Sequence, residues 1–216
     1  GKNMNSNKLI KTSDYKVFIQ DIKNRIQTAQ IKAAVTVNQE LLLLYWYIAE
    51  RIVAKQKESS WGEGFLQQMS DDLKNEFPDM MGFSLRNLKY IRQWFLFWSG
   101  ASAIGQQLVA QIPWGHNIVI ISKAKTQAEA LFYAQSTLQN NWSRSVLTHQ
   151  MESGLYQREG KAINNFQTTL PAPQSDLANQ ILKDPYNFDF LTLRSKHDEK
   201  ELENALINHV TRFLLE

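Results

Sequence analysis

Gly82-Phe-Ser-Leu-Arg-Asn-Leu-Lys-Tyr-Ile-Arg-Gln-Trp-Phe-Leu-Phe-Trp98 reads as a turn followed by a capped helix with two unlike faces. Gly82 suits a turn with unusual backbone angles, and Ser84 suits the N-cap of the helix after it. At helical spacing Leu85, Leu88, Ile91, Phe95 and Trp98 gather on one side. Arg86, Lys89, Tyr90 and Gln93 gather on the other, with Phe97 beside them. A helix that buries its apolar side presents the second set as a row of phosphate- and base-contacting groups. The same row is equally what a merely solvated helix face looks like.

Working upstream, Phe65 to Phe77 predicts a shorter amphipathic helix, ended by Pro78-Asp79-Met80-Met81-Gly82. Helix, short turn, basic helix is the layout of a helix-turn-helix reader. Further upstream, helical periodicity starts at the cap pair Ser13-Asp14 and runs to about Lys57, after a polar tail over residues 1–12 expected to be disordered. The β-branched run Val35-Thr36-Val37 leaves open whether residues 13–57 form one helix or two. Leu41 to Ile52 is apolar over more than half its circumference, which suits a core or a subunit interface.

Downstream, Gln106–Gln111 and His116–Ala124 predict a second helix-turn-helix-like pair around the turn Ile112-Pro113-Trp114-Gly115. Thr126–Leu138 has a capping box with Glu129, and Ser143 caps a helix over Arg144–Ser153. No stretch alternates with period two for long. The expected fold class is therefore all-α, a helical bundle with helix-turn-helix-like (winged-helix-like) units over residues 13–165. Residues 166–197 carry Pro171, Pro173 and Pro185 and are expected to be a linker, with Asp184–Leu191 too rich in turn formers and aromatics for a helix. Asp198 then caps one extra helix over 198–216, striped by Leu202, Leu206, Val210 and Phe213.

The 216 residues carry a net charge of +3, unevenly spread. Residues 1–60 hold +5, 61–83 hold −4, 84–165 hold +5 and 166–216 hold −3. Basic charge at the front and middle is compatible with a polyanionic partner. The absence of Cys excludes disulfides, thiolate catalysis and Cys-ligated zinc. The longest apolar run, Leu41–Ala49, is too short for a membrane span, and the start does not resemble a signal peptide. A cytoplasmic protein is the expectation.

Catalytic signatures are scarce. His116, His149, His197 and His209 show no metal spacing, so no metal ligands are assigned. No phosphate-cradling Gly loop or nucleophile elbow occurs. The carboxylates Asp198, Glu199 and Glu201 suit a helix start. Two segments each keep two readings. Pro113-Trp114-Gly115-His116 with Asn117 is either a rigid turn with a buried Trp or a phosphate contact through His116 and Asn117 at a helix start. Trp142-Ser143-Arg144 is either a packed anchor or a phosphate clamp.

In combination, Asn38-Gln-Glu-Leu-Leu-Leu-Leu-Tyr-Trp46, Trp61-Gly62, Gly82-Phe-Ser-Leu-Arg-Asn-Leu88, Gln111-Ile-Pro-Trp-Gly-His116, Asn141-Trp-Ser-Arg144, Leu155-Tyr-Gln-Arg158, Asn165-Phe166 and Tyr186-Asn-Phe-Asp-Phe-Leu191 resemble YhcG-type bacterial proteins, over nearly the whole chain. The resemblance implies an N-terminal helical, DNA-binding domain followed by a PD-(D/E)xK nuclease domain. It implies that residues 198–216 are the opening helix of that domain, truncated before its active site, so this stretch needs no cofactor while the full-length protein uses Mg²⁺. Glu203, with Glu201 as the alternative, is where a first-helix catalytic Glu would fall. The implied reaction is metal-assisted phosphodiester hydrolysis.

Two functions compete. In one, Arg86, Asn87, Lys89, Tyr90 and Gln93 meet duplex or branched DNA, with His116, Asn117, Lys123, Lys125 and Arg144 on flanking phosphates. In the other, the chain is a helical scaffold that forms a homodimer or docks a protein, using Leu41–Ile52 and the aromatics Trp94, Phe95 and Trp98. A stand-alone enzyme is disfavoured, because titratable groups do not converge.

Overall fold

The computed structural model describes residues 12–58, 61–62, 64–101, 103–159, 180–181 and 183–191, and all regular structure among them is helical. The chain runs through α1 (Ser13–Glu58), α2 (Gly64–Glu76), a 3-10 turn (Met81–Phe83) and α3 (Leu85–Trp98). It continues through α4 (Ala103–Val109), α5 (Trp114–Lys123), α6 (Gln127–Asn140), α7 (Arg144–Glu152), α8 (Leu155–Arg158) and α9 (Pro185–Leu191). The expected all-α class is what the chain adopts.

Local chemistry sets most helix starts. Ser84 Oγ accepts from Asn87 N–H at 3.2 Å, Thr126 Oγ1 from Glu129 N–H at 3.1 Å and Ser143 Oγ from Val146 N–H at 3.3 Å. Glu129 reaches back past the N-cap to accept from Lys125 N–H at 2.9 Å, one residue before the position a capping box uses. Asn141 ends α6 in the left-handed conformation at φ 52°, a position Asn tolerates better than most residues.

α1 is one continuous helix of 46 residues. Its second half is the spine of the core: Leu41, Leu42, Tyr45, Ala49 and Ile52 are buried against α3. The Leu41–Ile52 segment is therefore mostly used inside the bundle and withdrawn as a subunit interface, although Leu43 and Tyr47 remain exposed. Trp94 also turns inward. Edge-to-face rings link Tyr45 to Trp114 (4.8 Å), Trp114 to Trp94 (5.4 Å) and Trp94 to Trp46 (5.4 Å), joining α1, α3 and α5.

Three findings differ from expectation. Gly82 has no positive φ; a Cβ there would collide with the buried Tyr45 hydroxyl, so Gly82 is required for space. Eight residues separate α2 from α3, against three or four in a helix-turn-helix, while four separate α4 from α5. Residues 185–191, expected to be irregular, form α9: Pro185 sits at the first helical position and Asp184 Oδ1 accepts from Tyr186 N–H at 2.9 Å. The expected helix 198–216, with Glu201 and Glu203, lies outside the described residues, as do residues 1–11 and 160–179.

Candidate nucleic-acid interface

Helices α3 and α5 run in the same sense. Trp114 donates its indole N–H to Asn87 at 2.8 Å near their starts, and Gln93 donates to the Ile121 carbonyl at 3.3 Å near their ends. This pairing brings the starts of α3, α5 and α7 together around a cavity of about 350 Å³. Ser84 and Arg86 line it from α3, Gly115 from α5, Arg144 from the first position of α7 and Tyr186 from α9. Helix starts carry a partial positive charge, which the two guanidinium groups reinforce. Arg86 lies 5.7 Å from the centre of the Tyr90 ring, and its Nη2 donates to Tyr90 Oη at 3.4 Å.

Gly115 sits at this convergence, where a small side chain would still fit in ordinary contact. A Cβ there would lie 3.4 Å from Asp184 Oδ2 and 3.5 Å from the Arg144 side chain. Pro113, at the N-cap of α5, has no side-chain acceptor, and Asp184 supplies one by accepting from Gly115 N–H at 3.0 Å. Asp184 thus caps both α5 and α9. Burial raises its carboxyl above the usual range, and the hydrogen bonds from Gly115 and Tyr186 with the nearby Arg144 charge partly offset this. Burial likewise raises the Tyr186 phenol, followed by Asp184, while the positive charges of Arg86 and Arg144 act against it.

Three expected contact residues are corrected. Asn87 is 2% exposed, with its amide shared between the Gly82 carbonyl (2.8 Å) and the Trp114 indole. Asn117 is 1% exposed; it accepts from the Trp94 indole at 3.0 Å and donates to the Val109 and Ile112 carbonyls. His116 is 3% exposed, and since a carbonyl can only accept, its Nε2–H donates to Trp142 O at 2.8 Å. Burial pushes the His116 pKa down, the Trp142 bond opposes this, and Arg144 adds to the lowering. His116 and Asn117 do not line the cavity, and Asn87 lines it with its amide already bonded to Gly82 and Trp114.

The other expected residues stay at the surface but do not form one cluster. Arg86, Tyr90 and Arg144 share the cavity, and Lys89 is exposed on the next turn of α3. Lys123 ends α5, about 12 Å along the helix from Gly115, and pairs with Glu152 at 2.7 Å. Lys125 is exposed beyond it, and Gln93, although exposed, is bonded to Ile121. Sequence reasoning missed Tyr186, which comes from a segment read as linker; its one signal was the aromatic density of Tyr186–Phe190. A larger cavity, about 580 Å³ between the end of α1 and α2, is lined mainly by Ile52, Trp61, Phe65, Met69 and Leu73; its cations Arg51 and Lys55 share it with the carboxylate of Asp72.

The residues that build this cavity can now be placed among known proteins. Residues 21–158 match the family described as the DUF1016 N-terminal domain. The chain belongs to that family. Residues 179–216 of this DUF1016 chain match the YhcG PDDEXK nuclease domain, so α9, with Tyr186 and Asp184, falls in the nuclease-matched segment. The chain is 26% identical over 240 residues to the candidate nuclease YhcG of Escherichia coli (strain K12), covering 95% of this chain and 63% of that protein. It therefore spans less than two thirds of that relative's length. No solved structure matches it. Among the described residues no group of three or more His, Asp or Glu side chains fits a metal ion, so Mg²⁺ is assigned to none of them. No helix among them is long and apolar enough to cross a membrane.

Proposed function

We propose that this chain is a DNA-binding module that holds duplex or branched DNA for a PDDEXK nuclease domain, which hydrolyses a phosphodiester with Mg²⁺ in the whole protein. One observation carries the reading: Arg86 and Arg144, far apart in sequence, meet at a single cavity where three helices begin. That is phosphate-binding chemistry. Lys89 lies beside it on α3 and supplies a flanking contact. The family match of residues 179–216 supports the pairing with a nuclease. The test is a fluorescence-anisotropy titration with Arg86→Glu/Lys89→Glu. Affinity for a DNA duplex should fall at least about tenfold while the melting temperature is unchanged, since each lost phosphate contact removes counterion release. An unaltered affinity rejects this surface.

A second reading concerns α1. Its first half protrudes, with Tyr15, Phe18, Ile22 and Ile26 exposed on one stripe, Phe18 at 59% and Ile26 at 52%. An apolar stripe of this length on a helix favours pairing, and we assign it to a homodimer contact, which symmetric DNA readers commonly use. Phe18→Asp with Ile22→Asp should abolish self-association in sedimentation velocity; a wild-type chain that sediments as a monomer at high concentration removes this reading.

A further inference from the structure

The groups left available around the cavity suit phosphates and rings better than base edges. Amide side chains are the natural readers of adenine in a major groove. Here the Asn87 amide is buried and bonded to Gly82 and Trp114, and Gln93 commits an N–H to Ile121 and does not line the cavity. Arg86, Arg144, Tyr90 and Tyr186 remain. The shape points the same way. A major-groove reader projects its helix outward, whereas the start of α3 is flanked by α9 and the start of α7, leaving a concavity. At about 350 Å³ it lies at the small end of ligand sites and is too small for a double helix. Half-buried Ile118 and Val119 supply its apolar lining, while the cations come from exposed Arg86 and Arg144.

Resting on the DNA-binding reading above, we infer that this cavity holds one unpaired nucleotide of a DNA strand, its phosphate at Arg86 and Arg144 and its base against Tyr90 and Tyr186. Base stacking on tyrosine is tolerant of sequence, because every base has a π-face, so selection is for strand state and not for base identity. Branched, gapped and frayed DNA all offer such a nucleotide next to a duplex, which leaves the exposed Lys89 to meet the paired part.

The experiment compares three fluorescent DNAs of equal length: single-stranded, blunt duplex, and duplex with a short single-stranded overhang. The wild-type chain of 216 residues should bind the single strand and the overhang about tenfold or more tighter than the blunt duplex. Tyr90→Leu, which keeps bulk and removes the ring, should erase that preference, and Tyr90→Phe should keep it; a purely structural role would not separate ring from bulk in this way. Tyr186→Leu is the second variant, and circular dichroism verifies the fold of each. Excess deoxynucleoside monophosphate should leave the strand bound, since it lacks the neighbouring phosphates. Displacement by the mononucleotide at equal affinity overturns the inference. Equal affinity for all three DNAs also overturns it while leaving DNA binding intact, and binding to none of them at low salt removes the DNA reading as well.

Discussion

Asn117 shows how much one buried amide can bind together. Its Oδ1 takes the Trp94 indole of α3, and its Nδ2 is shared among the carbonyls of Val109, Ile112 and Pro113. Truncation to Ala strands the Trp94 indole and takes the side-chain donor from the Val109 carbonyl, while Ile112 O keeps Asn38 and Pro113 O keeps the backbone N–H of residue 117. Each unsatisfied buried group costs about 1–3 kcal/mol, so Asn117→Ala should lower stability by about 2–4 kcal/mol. Urea melts should show a lower midpoint at unchanged slope; a loss below about 0.5 kcal/mol is what a solvated surface Asn would give. His116 adds a pH signature. Its pKa is lowered in the fold by burial, so below the unfolded value of about 6.5 the unfolded chain takes up protons that the folded chain resists. Stability from His116 is thus present above about pH 6.5 and lost as pH falls through its folded pKa. His116→Gln should flatten that part of the stability–pH curve, and a slope identical to wild type contradicts it. Both residues looked like ligand contacts in the sequence because they stand polar at a helix start. The contrary signal was their setting: Trp114, Ile118, Val119, Ile120 and Ile121 make α5 apolar nearly all round, and such a helix takes its polar residues inside with it.

At the scale of elements, α9 carries the greatest consequence for its seven residues. Asp184 caps α9 with one oxygen and α5 with the other, and Asn187 ties α9 to α1 by donating to Asn38 Oδ1 at 3.1 Å. Asp184→Ala removes acceptors from two helix starts and should cost about 1–3 kcal/mol; Asp184→Asn, with a single acceptor oxygen, should fall between. Chemical denaturation of the three chains orders them, and an Ala variant as stable as wild type denies the double cap. The linker expectation failed here because Pro, Asn and Asp read as turn formers, although Pro at a first helical position and Asp before it are also a helix start. What decides between them is a partner 69 residues away, the bare N–H of Gly115, which no local window contains. By contrast α2, α3, α6 and α7 were legible to within two residues of each end, since Ser84, Thr126 and Ser143 announce their caps locally. Val35-Thr36-Val37 did not break α1, because β-branched propensity costs only tenths of a kcal/mol per residue and Ala34, Val37 and Asn38 are buried.

Over the whole molecule, the two proposed surfaces respond differently to salt, and this separates them without any mutation. At the cavity, Arg86, Arg144 and the adjacent Lys89 would displace about three condensed counterions, so log affinity for DNA should fall against log salt with a slope of about −2 to −3. Along α1 the apolar stripe is flanked by Lys16, Lys23 and Arg25 and by Asp14 and Asp21, all exposed. These charges nearly balance, so a contact there rests on apolar burial. Raising salt from about 0.1 to 1 M shortens the Debye length from about 10 to 3 Å, which screens the charges while apolar burial persists. Self-association should therefore hold as DNA affinity declines. Sedimentation velocity and anisotropy across one salt series read both quantities on the same chain. A dimer that dissociates in step with DNA release means the contact is ionic and does not lie on the Tyr15–Ile26 stripe. A DNA affinity indifferent to salt means the guanidinium groups of the cavity do not meet phosphate.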